Sequence, residues 1–141
     1  MDQATTQGLL HDPAGQGTAD YRRLAQQLWD GKNGRQTLSS AKFIEMMGMG
    51  IDSFASGAHV HRSTVIRAPA AESIQSHIRT SLQVLAAVTA ASGGNLQDAV
   101  LRYRNEPLVP FNYKTAESLM TEGRAADAVD LMTSYEAGFA G

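Results

Sequence analysis

The sequence predicts an all-α protein, and three observations lead there. Alanine supplies much of the 43% hydrophobic content while aromatic residues make up only 6%, a balance that favours helices over a β-sandwich. Apolar residues recur at three- and four-residue intervals along most of the chain. No stretch shows strand-length alternation bounded by turn signals, and no internal repeat is present. At 141 residues with 18% charged side chains, the chain is about one domain's worth and can bury a real core.

Residues 1–18 contain Gly8, Pro13, Gly15 and Gly17 and few large apolar side chains, so a flexible leader is expected. Asp20 opens a short helix with Tyr21, Leu24 and Leu28 on one face and Trp29 at its end, broken by Gly31, Asn33 and Gly34. Ser39 or Ser40 caps the next helix, whose stripe is Phe43, Ile44 and Met47; a side-chain oxygen there satisfies a free N–H of the first turn. Gly48 and Gly50 stop it. A further short helix starts at Ile51 or Asp52, buries Ile51, Phe54 and Ala55, and ends near Gly57. The segment from Val60 to Arg67 forms a third, closed by Pro69, which steers its predecessor away from helical geometry.

The longest helix is expected from Ala70 to Ser92, with Ile74, Ile78, Leu82, Leu85 and Val88 inward and Gly93-Gly94 ending it. Its rise of 1.5 Å per residue makes a rod of about 33 Å, long enough to connect two subdomains. Asn95 caps a helix through Arg104 that buries Leu96, Ala99, Val100 and Tyr103. Pro107 and Pro110 make the apolar stretch Glu106–Asn112 a loop, and a loop of that composition packs onto something. Thr115 caps a short helix with Ala116 and Leu119, broken by Gly123. The last helix runs from about Ala125 to Gly138 with Val129, Met132 and Tyr135 inward. The expected organisation is therefore a leader (1–18), a helix-turn-helix domain (19–69), a connecting helix (70–94) and a C-terminal helical domain (95–141).

The absence of cysteine excludes a disulfide scaffold, a thiolate metal site and a cysteine nucleophile, and suits a reducing cytoplasm. The first ten residues lack a basic region and an apolar core, so no signal peptide is expected. The most apolar run, Leu82 to Ala91, is about half a bilayer span and holds Gln83 and Thr89; no membrane partner is expected. Net charge is −2, but it is unevenly spread. Between residues 61 and 104, Arg62, Arg67, Arg79, Arg102 and Arg104 face only Glu72 and Asp98. After residue 104, Lys114 and Arg124 face Glu106, Glu117, Glu122, Asp127, Asp130 and Glu136. A basic middle and an acidic end suggest two surfaces with different partners.

The helical trio from Ser39 to Arg67 fits a helix-turn-helix. His61, Arg62, Ser63 and Thr64 would sit at the start of its last helix with Arg67 a turn further on, where arginine reaches guanine edges or phosphates and hydroxyls bond phosphate. A plain corner of a helical bundle explains the same residues. His59-Val60-His61 has a spacing found in some metal sites but lacks a third ligand nearby. Gly48-Met49-Gly50 is not a dinucleotide fingerprint, because Ser53 stands in the third glycine's place and no strand precedes it. No nucleophile elbow or phosphate-binding loop occurs. Asp127 and Asp130 read as a solvated helix face, and Met46, Met47 and Met49 as adaptable core filling. No catalytic residue, metal ligand or cofactor is assigned.

The segment AKFIEMMGMGIDSFASGAHVHRSTVIRAP resembles the helix-turn-helix of the Xre/MbcA/ParS antitoxins, and residues 92–141 resemble their toxin-binding domain. The features are Tyr103-Arg104-Asn105, Pro107, Phe111, Thr115 to Leu119, Gly123-Arg124-Ala125, the Val129 to Tyr135 helix and the Gly138-x-x-Gly141 end. The likeness spans about residues 38–141. It implies a non-enzymatic type II antitoxin, ParS-like, that neutralises a RES-domain toxin consuming NAD or transferring ADP-ribose. It implies occlusion of the toxin's NAD pocket by the C-terminal domain, and a homodimer or toxin–antitoxin hetero-oligomer that binds operator DNA and autoregulates its operon. The residues expected to meet toxin are Asn112, Lys114, Arg124, Tyr135, Gly138, Phe139, Ala140 and Gly141, with Phe139 to Gly141 at the pocket mouth; Arg124 pairing within the fold is the alternative for that residue. Those expected to meet DNA are His61, Arg62, Ser63, Thr64 and Arg67. Only two arginines lie between His59 and Pro69, so one copy would bind DNA weakly and need a second. A stand-alone transcription regulator with a dimerising or ligand-sensing C-terminal domain is the alternative, and a small metal or hydrolytic enzyme using His59 and His61 is a third reading.

Overall fold

The computed structural model describes residues 18–31 and 37–140, with side chains described through residue 136. The expected leader, apart from Thr18, the breaker residues Asn33 and Gly34, and Gly141 lie outside the described residues. Eight α-helices and one 3₁₀ turn are present among the described residues: α1 (Ala19–Leu28), α2 (Ser40–Met47), α3 (Ile51–Ala58), α4 (Arg62–Arg67), α5 (Glu72–Ala91), α6 (Leu96–Asn105), the 3₁₀ turn Val109–Phe111, α7 (Ala116–Thr121) and α8 (Ala125–Ala140). Strand geometry is confined to two isolated antiparallel bridges, Trp29↔Leu38 and Leu108↔Lys114. The all-α expectation holds.

The helix ends follow from their chemistry. Ser39 accepts from the Lys42 amide, Asn95 from Asp98 and Thr115 from Ser118, each filling one of the donors a first turn leaves free. Gly48 ends α2 in the left-handed region at φ 67°, which costs glycine nothing. One expected stop fails: Gly138 does not end α8, which continues through Phe139 to Ala140. A glycine in helical geometry costs only about 1 kcal/mol, too little to terminate a helix by itself.

Contacts gather the described residues into two compact units, residues up to Leu24 with those from Ser81 onward, and Ala25–Thr80. The expected divisions at 69/70 and 94/95 are not where the contacts divide. Instead α5 supplies core to each unit, Ile74 and Ile78 to one and Leu82, Leu85 and Val88 to the other, all essentially without exposure. Full burial of such side chains is worth about 1.5–3 kcal/mol each. Val84, outside the expected stripe, is buried as fully.

In the Ala25–Thr80 unit, Phe54 is completely buried and meets Phe43 and His77 edge-on, with centroids 5.6 and 5.2 Å apart. The buried Gln75 carboxamide pairs with the backbone of Leu38, accepting from its N–H at 2.9 Å and donating to its C=O at 3.0 Å, and donates to the Pro69 carbonyl at 2.9 Å. It thus supplies Leu38 with the partners a neighbouring strand would give. In the other unit, the fully buried Tyr103 hydrogen-bonds Ser81, whose hydroxyl also contacts the Met120 sulfur at 3.6 Å. Burial first, then the Glu117 carboxylate, holds the Tyr103 phenol well above its ordinary range. Leu96, Val100, Val129 and Tyr135, expected inward, are half-buried; on α8 the deeply buried positions are Ala128 and Met132.

Candidate functional site

The helix-turn-helix set lies on α4 and its cap. His61 is the N-cap and makes no capping side-chain bond. His61, Arg62, Ser63 and Arg67 are exposed, Thr64 is half-buried, and Val65 anchors the helix in the core. His59, at φ 59°, ends α3 in the left-handed region and sets the corner before α4. The Arg62 guanidinium lies 3.4 Å from the Asp52 carboxylate on α3, both exposed, a pair worth little in water. Arg67 makes no ion pair among the described residues. Ile66, 61% exposed, stands between these groups in sequence. Among the described residues no group of three or more His, Asp or Glu side chains is placed to hold a metal ion.

The ion pairs change the meaning of the charge segregation. Four of the five arginines in the basic middle are paired: Arg62 with Asp52, Arg79 with Glu72, Arg102 with Glu106 and Arg104 with Glu117. At the acidic end Lys114 pairs with Glu122 at 2.7 Å and Arg124 with Asp127 at 2.9 Å. Among the described residues, the exposed carboxylates there that make no ion pair are Asp130 and Glu136. The basic middle is thus mostly internal pairing, while the C-terminal region keeps an uncompensated acidic character.

The expected toxin-facing residues fall into three groups. Asn112 and Lys114 belong to a tight loop. Its base is the bridge in which the Leu108 N–H donates to the Lys114 carbonyl and the Tyr113 N–H to the Leu108 carbonyl, each at 2.9 Å. Leu108 is buried and pins that base. Above it the 3₁₀ turn carries Pro110, and Asn112 and Tyr113 follow at φ 58° and 68°. Two successive non-glycine residues in the left-handed region are unusual, costing of order 1–2 kcal/mol each and less for asparagine. Arg124 braces the loop from beside α8, its guanidinium carbon 5.1 Å from the Phe111 ring centroid. Lys114 and Arg124 are therefore engaged within the fold, the pairing alternative for Arg124. Tyr135 is half-buried on α8. Gly138, Phe139 and Ala140 are helical, with no side-chain description, and Gly141 lies outside the described residues.

Sequence reasoning selected Asn112 and Lys114 but passed over the two side chains this loop displays most, Val109 and Tyr113, each 67% exposed. The apolar composition of residues 107–113 was the available signal. Comparison of the chain with protein-family models, curated proteins and solved structures finds no match in any of the three.

Proposed function

We propose that this chain is a type II antitoxin resembling the Xre/MbcA/ParS group, which neutralises a RES-domain, NAD-consuming or ADP-ribosyl-transferring toxin by covering its NAD pocket. The observation that carries the reading is the ordered series from Tyr103 to Tyr135 described above, which lies on consecutive elements, α6, the bridged loop, α7 and α8, of one compact unit. The uncompensated Asp130 and Glu136 suit a cationic pocket that otherwise receives a pyrophosphate. Phe139 to Gly141 stand at the pocket mouth in this reading. The chain itself carries no catalytic role; it acts in the cytoplasm as a dimer or as a toxin–antitoxin hetero-oligomer. No helix of the described residues is long and apolar enough to cross a membrane.

His61, Arg62, Ser63, Thr64 and Arg67 contact operator DNA in the same reading, which gives autoregulation. With Arg62 shared with Asp52, one copy offers few free cations, so operator affinity depends on a second copy. The exposed Arg67 and Ile66 on α4 also fit the alternative, a stand-alone regulator reading DNA through this helix. Co-expression with the product of the adjacent reading frame, pull-down and an NAD-consumption assay decide between them. A complex that suppresses NAD loss supports the antitoxin. No complex, together with operator binding by this chain alone, supports the regulator.

A further inference from the structure

We infer that the Trp29 indole and the Lys42 ammonium form a contact site for single-stranded nucleic acid, a base stacking on the ring while a neighbouring phosphate meets the lysine. The inference stands apart from the antitoxin and regulator readings, and its failure leaves both untouched.

The ring is an open platform on a fixed backbone. Trp29 is 57% exposed, the one large exposed apolar side chain among the described residues before Gly50. Its backbone is held from both sides. Trp29 bridges Leu38, the Asp30 N–H donates to the Thr37 carbonyl at 2.8 Å, and the Ser39 N–H donates to the Leu28 carbonyl at 2.7 Å. Leu28, Thr37 and Leu38 are buried, so the bridge is anchored in the core. A base that stacks on Trp29 has little chain to order first.

The cation beside it is available to an anion. Lys42 Nζ lies 3.3 Å from the Trp29 carbonyl oxygen, and that contact takes one of its three donors. Lys42 makes no ion pair among the described residues. It sits in the first turn of α2, where a positive charge opposes the helix dipole and gains the helix nothing. From Trp29 through Lys42 the sequence carries Lys32, Arg35 and Lys42 against Asp30 alone, which favours an anionic partner.

The chemistry selects among anions. The exposed residues next to Trp29 in sequence, Gln26, Gln27 and Gly31, are polar or small, so no apolar stripe accompanies the ring as bilayer insertion requires. A flat π surface beside a cation matches an unpaired base and its phosphate, the combination that single-strand binders use. Bases within a duplex are already stacked on each other and offer no such face.

Trp29 is the only tryptophan in the chain, so tryptophan fluorescence reports this site and no other. The full chain is titrated at low salt with oligo(dT) and oligo(U) of about 12 nucleotides, within the usual range of single-strand sites, and separately with phosphatidylglycerol vesicles. The expected result is saturable quenching by an oligonucleotide and no spectral shift on vesicles; the tighter oligonucleotide identifies the sugar. By anisotropy of labelled oligonucleotide, Trp29→Ala should raise Kd about tenfold or more, and Trp29→Phe by less. Lys42→Gln should weaken binding and reduce the salt slope by about 0.7. Melting temperatures reveal a variant that fails to fold, and the wild-type quenching stands independently of every variant. No quenching by either oligonucleotide overturns the inference. So does binding that leaves Trp29 fluorescence unchanged, which places the nucleic acid elsewhere on the chain. A blue shift on vesicles without quenching by oligonucleotide makes an anionic bilayer the partner and also overturns it.

Discussion

Arg124 lies over the face of Phe111, 5.1 Å from guanidinium carbon to ring centroid, while its Nε donates to Asp127 at 2.9 Å. One side chain thereby ties the 3₁₀ turn to the first turn of α8. Both interactions are partly exposed, and each is worth about 0.5–1 kcal/mol in that setting. Arg124→Ala is expected to lower stability by about 1 kcal/mol in urea denaturation. A loss above about 3 kcal/mol would mean that Arg124 holds more of the fold than these two contacts.

His77 makes stability depend on pH. Burial first, and then the neighbouring His59, lowers its pKa from 6.5 to about 4. The folded state therefore favours neutral imidazole, and between those values the unfolded chain binds more protons. Stability contributed by the neutral ring is complete above pH 6.5 and is lost as pH falls from there through about 4. At about 1.4 kcal/mol per pH unit the loss is at most about 3.5 kcal/mol. Melting temperature measured from pH 7.5 to 4 should fall more in wild type than in His77→Phe; parallel curves would contradict the assignment.

Gln75 fills a role that no apolar residue can take. Gln75→Leu would leave the Leu38 N–H and C=O, and the Pro69 carbonyl, without their buried partner. Each orphaned group costs about 1–3 kcal/mol, reduced where water reaches it. A destabilisation of about 2–4 kcal/mol is expected by urea denaturation. Gln75→Glu should also destabilise at neutral pH, because a carboxylate cannot donate to the two carbonyls, and should recover on acidification.

Gly48 and Gly50 look alike in the sequence but differ in the fold. Gly48 is left-handed at φ 67°, Gly50 is not, and a Cβ added to either meets no atom within 4 Å. Gly48→Ala should cost about 1–2 kcal/mol from conformation alone, and Gly50→Ala, at the N-cap of α3 where alanine is the poorer cap, a smaller amount of about 0.5–1 kcal/mol. Equal melting temperatures for the two variants would contradict this reading.

Local chemistry was legible in the sequence and distant pairing was not. Ser39, Asn95 and Thr115 were readable as caps because the capping bond spans three residues. The core positions of α5 were readable from their spacing. Gly138 was misread because a glycine ends a helix only when it takes the left-handed region itself, as Gly48 does, and whether it does so depends on the residues that follow. Gln75 gave no signal, since its partner Leu38 is thirty-seven positions away. At the candidate sites, the exposure of His61, Arg62 and Arg67 followed from a single anchoring Val65 per short helix. The internal commitment of Lys114 to Glu122 joins the two ends of α7, eight residues apart, a pairing that no side-chain pattern in the sequence marks.

The Leu38 amide has a consequence for measurement. It lies outside every helix, yet its hydrogen is held by a side chain from α5 rather than by nearby backbone. Its exchange with solvent deuterium therefore requires the Gln75 carboxamide to let go, and so times the opening of a contact between two remote stretches of chain. A single residue in an irregular segment becomes a clock for tertiary opening, readable beside the helical amides that time their own local unwinding.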